Sequence, residues 1–401
     1  MCEIMFSVVI PTRNREAQLF SAVRSVLNQT FRDFEVIVSD NSDRKVGVDG
    51  LKSAVPAWND SGSCRYYATD EYMHMADHWE YCNVLARGQY VLVLTDRFVM
   101  RSNALAVINR CIAESEVDGP DIVVWGVGAN YDGALRQLTV PNFSNKVTMV
   151  DPREQLKEFL RFSTWFTGGL YFNSLPRGLN SAYRRKLAGE IRERHGRVFP
   201  HLSPDYSSAF LFSAYAETLV TLDRPLYISH GEHSTGKTSH IFGLKTFSTD
   251  QDPLEGSPLK IDTVVNSVLR DFIAVKTTVA PVLDDIEFDS SGYFLENYRE
   301  VLNKEHHGSP LDTQAMIEEI EKQVKTLPVD ARALVRAGIE VFKQSRPHYL
   351  KRLTKKLARR FGVYSLITSA SIAKRPDGEV SSIMCDSIDV AATLQTEAFD
   401  P

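Results

Sequence analysis

Residues Phe6–Asn41 read FSVVIPTRNREAQLFSAVRSVLNQTFRDFEVIVSDN, and the fold turns on how that stretch is read. Phe6–Ile10 is a short apolar run rich in β-branched residues, which reads as a buried strand ended by Pro11. Leu19, Ala22, Val23, Val26 and Leu27 then recur at helical spacing. A second apolar run, Phe34–Val38, stops at Ser39-Asp40-Asn41. Strand, helix and strand in about thirty residues make a βαβ unit. In open α/β sheets the ligand lies beyond the carboxyl ends of the strands. Here those ends carry Pro11-Thr12-Arg13-Asn14 and Asp40-Asn41-Ser42.

The alternation continues downstream. A polar loop runs to Gly50, with a short helix near Leu51–Val55, and Cys64–Ala68 reads as a strand. Met75, Trp79, Cys82 and Ala86 mark one face of a helix that Gly88 ends. Tyr90–Leu94 is an apolar strand that stops at Thr95-Asp96-Arg97. Leu105, Ile108 and Ile112 mark another helix, and Asp121–Trp125 another strand. This order predicts an α/β fold, a mostly parallel sheet with helices on both faces. Residues 127–150 read as a hairpin or loop excursion, and Asp151-Pro152 as a helix start. Tyr183–Arg194 and Tyr206–Leu219 read as helices, Pro225–Ser229 as a strand, and 231–260 as a long loop or linker. From Ile261 helix follows helix, so 261–365 is expected to be a C-terminal helical extension. Residues 366–401 show no period and are expected to form a mobile tail.

Composition narrows the function classes. The chain has 401 residues, enough for two domains, and its 43% apolar and 24% charged residues are ordinary for a globular protein. A net charge of −5 gives no reason to expect nucleic acid. The five cysteines are scattered without a Cys-x-x-Cys pair, which points to neither zinc nor a disulfide framework. Strand residues begin almost at the N-terminus, and no run reaches the ~20 apolar residues of a membrane span. The expected location is the cytoplasm, at the inner face of the membrane if the basic stretch described below binds there.

The opening stretch resembles the start of the family-2 nucleotide-sugar glycosyltransferases. The matching residues are Val9-Ile10-Pro11-Thr12-Arg13-Asn14, Ser25-Val26-Leu27-Asn28-Gln29-Thr30 and Phe34-Glu35-Val36-Ile37-Val38-Ser39-Asp40. The resemblance is firm to residue 130 and loose to residue 240. It implies a GT-A-type domain over 1–260, with a nucleotide-binding half at 1–126 and an acceptor-side half at 127–260. It also implies a nucleotide-sugar donor and an acceptor hydroxyl on a glycan or lipid-linked glycan.

Such a transfer needs the nucleotide held, the leaving diphosphate stabilised and the acceptor proton removed. The resemblance places Pro11, Thr12, Arg13, Asn14, Asp40, Asn41, Asp77, His78, Thr95, Asp96, Arg97, His233 and Ser234 around the nucleotide sugar. At a strand end, Asp40 reads equally as an Asx-turn. The family's acidic metal motif is reduced here to Thr95-Asp96-Arg97. Two readings stay open: Asp96, with His233, holds Mg²⁺ or Mn²⁺, or Arg97 itself neutralises the diphosphate. A structural Asp96–Arg97 ion pair is the plain alternative. Asp205 stands where the family has its catalytic base, although Pro204 replaces the preceding acid; a first-turn helix acid is the alternative. Gly231–Thr238 fits the phosphate-loop pattern Gly-x-x-x-x-Gly-Lys-Thr without the long helix such a loop requires, which leaves a P-loop ATPase or kinase as a competing reading. A binding protein without turnover is another. Residues 350–361 form a basic amphipathic pattern, suited to an anionic membrane or to a solvated helix face.

Overall fold

The computed structural model describes residues 4–60, 63–141, 143–162, 175–200, 203–231, 243, 254–344 and 381–394. β1 (Phe6–Thr12), α1 (Glu16–Leu27) and β2 (Phe34–Asp40) form the expected unit. Phe6, Val8 and Ile10 of β1 enter one apolar core, and Val9 enters the other. In β2, Val36 and Val38 part from Ile37 in the same way. A strand covered on both faces needs apolar residues at every position, so these runs look continuous.

The chain goes on through α2 (Gly47–Ala54), α3 (Ala57–Asp60), β3 (Cys64–Ala68), α4 (Met75–Leu85), β4 (Tyr90–Val93), β5 (Phe98–Met100), α5 (Ala104–Ala113) and β6 (Ile122–Gly126). β1 pairs in parallel with both β2 and β4, and β2 with β3. Trp79 and Cys82 of α4 are buried as their spacing predicts, but Met75, in the first turn, is 59% exposed.

β7 (Ala129–Asp132) and β8 (Gln137–Val140) make the expected hairpin, followed by β9 (Val147–Val150) and α6 (Pro152–Phe159). The Asp151 side chain accepts the N–H groups of Arg153 and Glu154 and so caps α6. The spacing from Tyr183 predicts a helix, yet Ser181–Arg184 is β10, antiparallel to both β4 and β6. Four residues are too few to show a period, so α7 (Arg185–His195) masks the strand before it. α8 (Pro204–Tyr215) ends before Leu219, where β11 (Leu219–Pro225) begins, and β12 (Tyr227–His230) follows.

Among the described residues these strands form two sheets. The larger has the order β3-β2-β1-β4-β10-β6-β11-β9. The smaller is β8-β7-β12-β5, completed at the β8 edge by β13 (Ser381–Met384). The helical extension comprises α9 (Val264–Thr278), α10 (Ser290–His306), α11 (Thr313–Val324) and α12 (Val329–Gln344). Its apolar residues share a core with Val9, Ile37, Val91 and Val93 on one face of the larger sheet.

The expectation of a mobile tail is corrected over part of its length. After β13, α13 (Ile388–Thr393) packs into the core of the smaller sheet, and Asp389 pairs with Arg24 of α1 at 3.0 Å. The segment is held by partners far away in sequence, which a local periodicity does not register. The basic stretch 350–361 lies outside the described residues. No helix among the described residues is long and apolar enough to cross a membrane.

Candidate active site

The carboxyl ends of β2, β1 and β4 lie side by side in the larger sheet. Thr12, at the end of β1, is the register partner of Asp40 at the end of β2. On its other side, the Thr12 hydroxyl donates to Asp96 Oδ2 at 2.9 Å. Topology alone therefore brings Asp40 and Asp96, distant in sequence, to one edge.

The Asp40 carboxylate is fully buried and spent on its own turn. Oδ1 accepts the Ser42 N–H at 2.9 Å. Oδ2 accepts the Val46 N–H at 2.8 Å and the Tyr66 hydroxyl at 2.9 Å. Burial pushes this carboxyl up, but the hydrogen bonds from Ser42, Val46 and Tyr66 outweigh it and hold it below the ordinary value. The Asx-turn reading thus describes its contacts, and what faces outward is the 42–46 turn it shapes. Asn41 extends the same scaffold: Oδ1 accepts from Thr69 and the Met73 N–H, and Nδ2 donates to the Met73 carbonyl at 2.7 Å.

The first loop is fixed as firmly. Pro11 is buried inside β1. Asn14, at φ 55°, exchanges hydrogen bonds with Asp43, and its N–H donates to the Ser42 hydroxyl at 2.8 Å. Arg13 lies over the half-exposed ring of Tyr72, 4.2 Å from its centroid. Tyr72 carries no periodic signal, and sequence reasoning missed it.

Asp96 is held differently. Its Oδ1 faces the Arg15 guanidinium at 3.1 Å. Burial raises the carboxyl above its ordinary value, only partly offset by Arg15 and Thr12. The neighbouring Thr95 hydroxyl is buried without a hydrogen-bond partner among the described residues. Arg97 is half-buried, and its carbonyl accepts the His230 N–H at 2.9 Å. Burial and the adjacent Arg15 lower Arg97, and the charges of Asp96 and Asp205 oppose them. Asp205, in the first turn of α8, is raised by burial against the opposing charges of Arg177 and Arg97. Asp271 of α9 accepts the Ser203 N–H at 3.0 Å, so the helical extension anchors the start of α8. Arg15 and Arg177 are further residues that the sequence did not single out: one lies just past the matched motif, the other in an aperiodic segment.

Two expected residues are held by other side chains. His78 is buried, with Nε2 2.8 Å from the Ser39 hydroxyl, and burial lowers it to about 4, so it is neutral near pH 7. Asp77 pairs with Arg197 at 2.6 Å. His233 and Ser234 lie outside the described residues.

A hard divalent cation wants several oxygen ligands. Among the described residues no cluster of His, Cys, Asp and Glu could hold one. At the end of β4, Asp96 offers one carboxylate, already engaged by Thr12 and Arg15 and followed by Arg97. Among the described residues this donor set does not fit a metal site, and His233, the other ligand expected there, lies outside them.

Residues 7–172 match the glycosyl transferase family 2 model. The GalNAc(5)-diNAcBac-PP-undecaprenol beta-1,3-glucosyltransferase of Campylobacter jejuni is 33% identical over 178 residues, 40% of this chain and 56% of that enzyme. The chain therefore spans about half the length of this curated relative. Among solved structures, S. aureus TarS 1–349 in complex with UDP-GlcNAc has a TM-score of 0.48 at 16% identity, covering 82% of this chain and 84% of that one. The complex of TarS 1–349 with UDP has a TM-score of 0.48 at 14% identity, covering 96% and 97%. The match to glycosyl transferase family 2 thus falls on residues 7–172, the stretch that holds β1, β2, β4 and the polar ends described above.

Proposed function

We infer that the protein transfers a sugar from a nucleotide diphosphate to a hydroxyl group of a glycan or lipid-linked glycan. The observation that carries the reading is the meeting of Thr12, Arg15 and Asp96 at the ends of β1 and β4, within the stretch that matches family 2. The nucleotide lies along the 12–14 loop and the 42–46 turn. The acceptor oxygen attacks the anomeric carbon from the face opposite the diphosphate and inverts it. The old carbon–oxygen bond breaks with its electron pair left on the diphosphate. Asp205 takes the acceptor proton, and a carboxylate raised by burial is better suited to that than an ordinary one. The undecaprenol-linked substrate in the C. jejuni relative's name supports a lipid-linked acceptor. Gly231 follows β12 in the smaller sheet rather than a strand of the parallel one, which disfavours the phosphate-loop alternative.

The test is an assay of UDP-, GDP- and dTDP-sugars against free and lipid-linked glycans. Asp205→Asn is expected to lower transfer about 10²- to 10⁴-fold with donor binding unchanged. Near-normal turnover would remove Asp205 from the mechanism, and donor binding by the native protein without transfer to any acceptor would favour a binding role. A lipid-linked acceptor also gives the basic stretch 350–361 a use at an anionic surface. Deleting residues 346–365 is then expected to abolish co-sedimentation with anionic liposomes, and equal binding would end that part of the reading.

A further inference from the structure

We propose that two guanidinium groups, Arg15 and Arg97, take the place of a divalent cation at the donor's diphosphate, so that donor binding and transfer are metal-independent. The proposal rests on the nucleotide-sugar reading above and specifies how the leaving group is neutralised.

The charge arrangement carries the argument. Asp96 is buried, and its two oxygens face the Thr12 hydroxyl and the Arg15 guanidinium. A cation brought to this carboxylate would have to displace Arg15 and then stand beside Arg97. A single carboxylate already paired with Arg15 is a poor anchor for a divalent ion beside a second guanidinium group. A sugar diphosphate reverses that balance, because it brings one negative charge on each phosphate. Guanidinium forks match phosphate oxygens with paired hydrogen bonds.

Geometry gives the two arginines different parts. The Arg15 side chain is 39% exposed, against 3% for Asp96, so it can swing from the carboxylate to an arriving phosphate without unfolding anything. Arg97 is half-buried and follows Asp96 directly in the chain, with its backbone tied to His230 at the end of β12. In the proposed arrangement it meets the leaving diphosphate beside Asp96, where negative charge grows as the carbon–oxygen bond breaks. The departing electron pair stays on the diphosphate oxygen next to Arg97, while the acceptor proton passes to Asp205.

The experiment has two readouts. Calorimetry with UDP, GDP and dTDP alone, in EDTA and in Mn²⁺, needs no turnover. One of these nucleotides is expected to bind equally, within about twofold, in both media. Arg15→Ala, with Arg15→Lys as a second variant that keeps a charge beside Asp96 and both checked for native unfolding, is expected to weaken that binding about 10- to 100-fold. In the transfer assay Arg97→Ala is expected to lower the rate about 10²- to 10³-fold, with no rescue by Mn²⁺, and Arg97→Lys to recover only part. Binding that requires Mn²⁺, or an Arg15→Ala protein that binds as the native one does, overturns the proposal. If no transfer is seen under any condition, the transferase reading falls, while calorimetry still decides this one.

Discussion

Asp40 ends β2 and Asp96 follows β4, on either side of β1, and the two buried carboxylates are held in opposite ways. Asp40 is satisfied by neutral donors from its own turn and from Tyr66, all fixed by the backbone and the sheet. Its charged form is favoured in the fold. Asp96 is satisfied by one hydroxyl and by a long charged side chain from another element, and its charged form is disfavoured. One strand end is a fixture. The other is an exchangeable contact, which is what a site that must accept and release a charged ligand needs.

Paired truncations would break this contrast most sharply. Asp40→Ala leaves two backbone N–H groups and the Tyr66 hydroxyl without acceptors. It is expected to cost about 3–5 kcal/mol in denaturant unfolding. Asp96→Ala removes a carboxylate that burial already penalises and frees a partly exposed arginine, and about 1 kcal/mol or less is expected. Equal losses would erase the distinction.

The smaller effect is a pH dependence beneath the Asp40 edge. Burial lowers His78 to about 4, from an ordinary 6.5, so the folded state favours the neutral ring. Its contribution is fully present above pH 6.5 and is lost as pH falls through about 4. That window is worth about 3 kcal/mol. His78→Gln is expected to flatten stability between these limits, and an unchanged slope would show that the ring is charged or solvated in the fold.

Much of this arrangement was legible in the sequence. The apolar runs of β1, β2 and β4 gave the parallel frame, and their polar ends named Thr12, Asp40 and Asp96 before any coordinates. Asp151-Pro152 announced α6 by the chemistry of its cap. The accounting of hydrogen bonds was not legible. Val46 and Tyr66 sit in segments whose spacing says nothing about what they face, so Asp40 could be read as a ligand contact. Arg15 lies one residue past the matched motif, and only the approach of α1 to the end of β4 gives it a partner. β10 was hidden by its shortness, and β13 by its distance from the strand it completes.

That distance has a consequence for biosynthesis. Arg24 and Asp389 are 365 positions apart, and β8 waits more than 240 positions for β13 to cover its outer edge. Domains generally fold in the order in which they are made. Here the smaller sheet emerges from the ribosome unfinished, with β8 as an open strand edge, a template for pairing with other chains. Its completion waits for residues 381–384, and chaperone protection of that edge is most needed while the helical extension is still being synthesised.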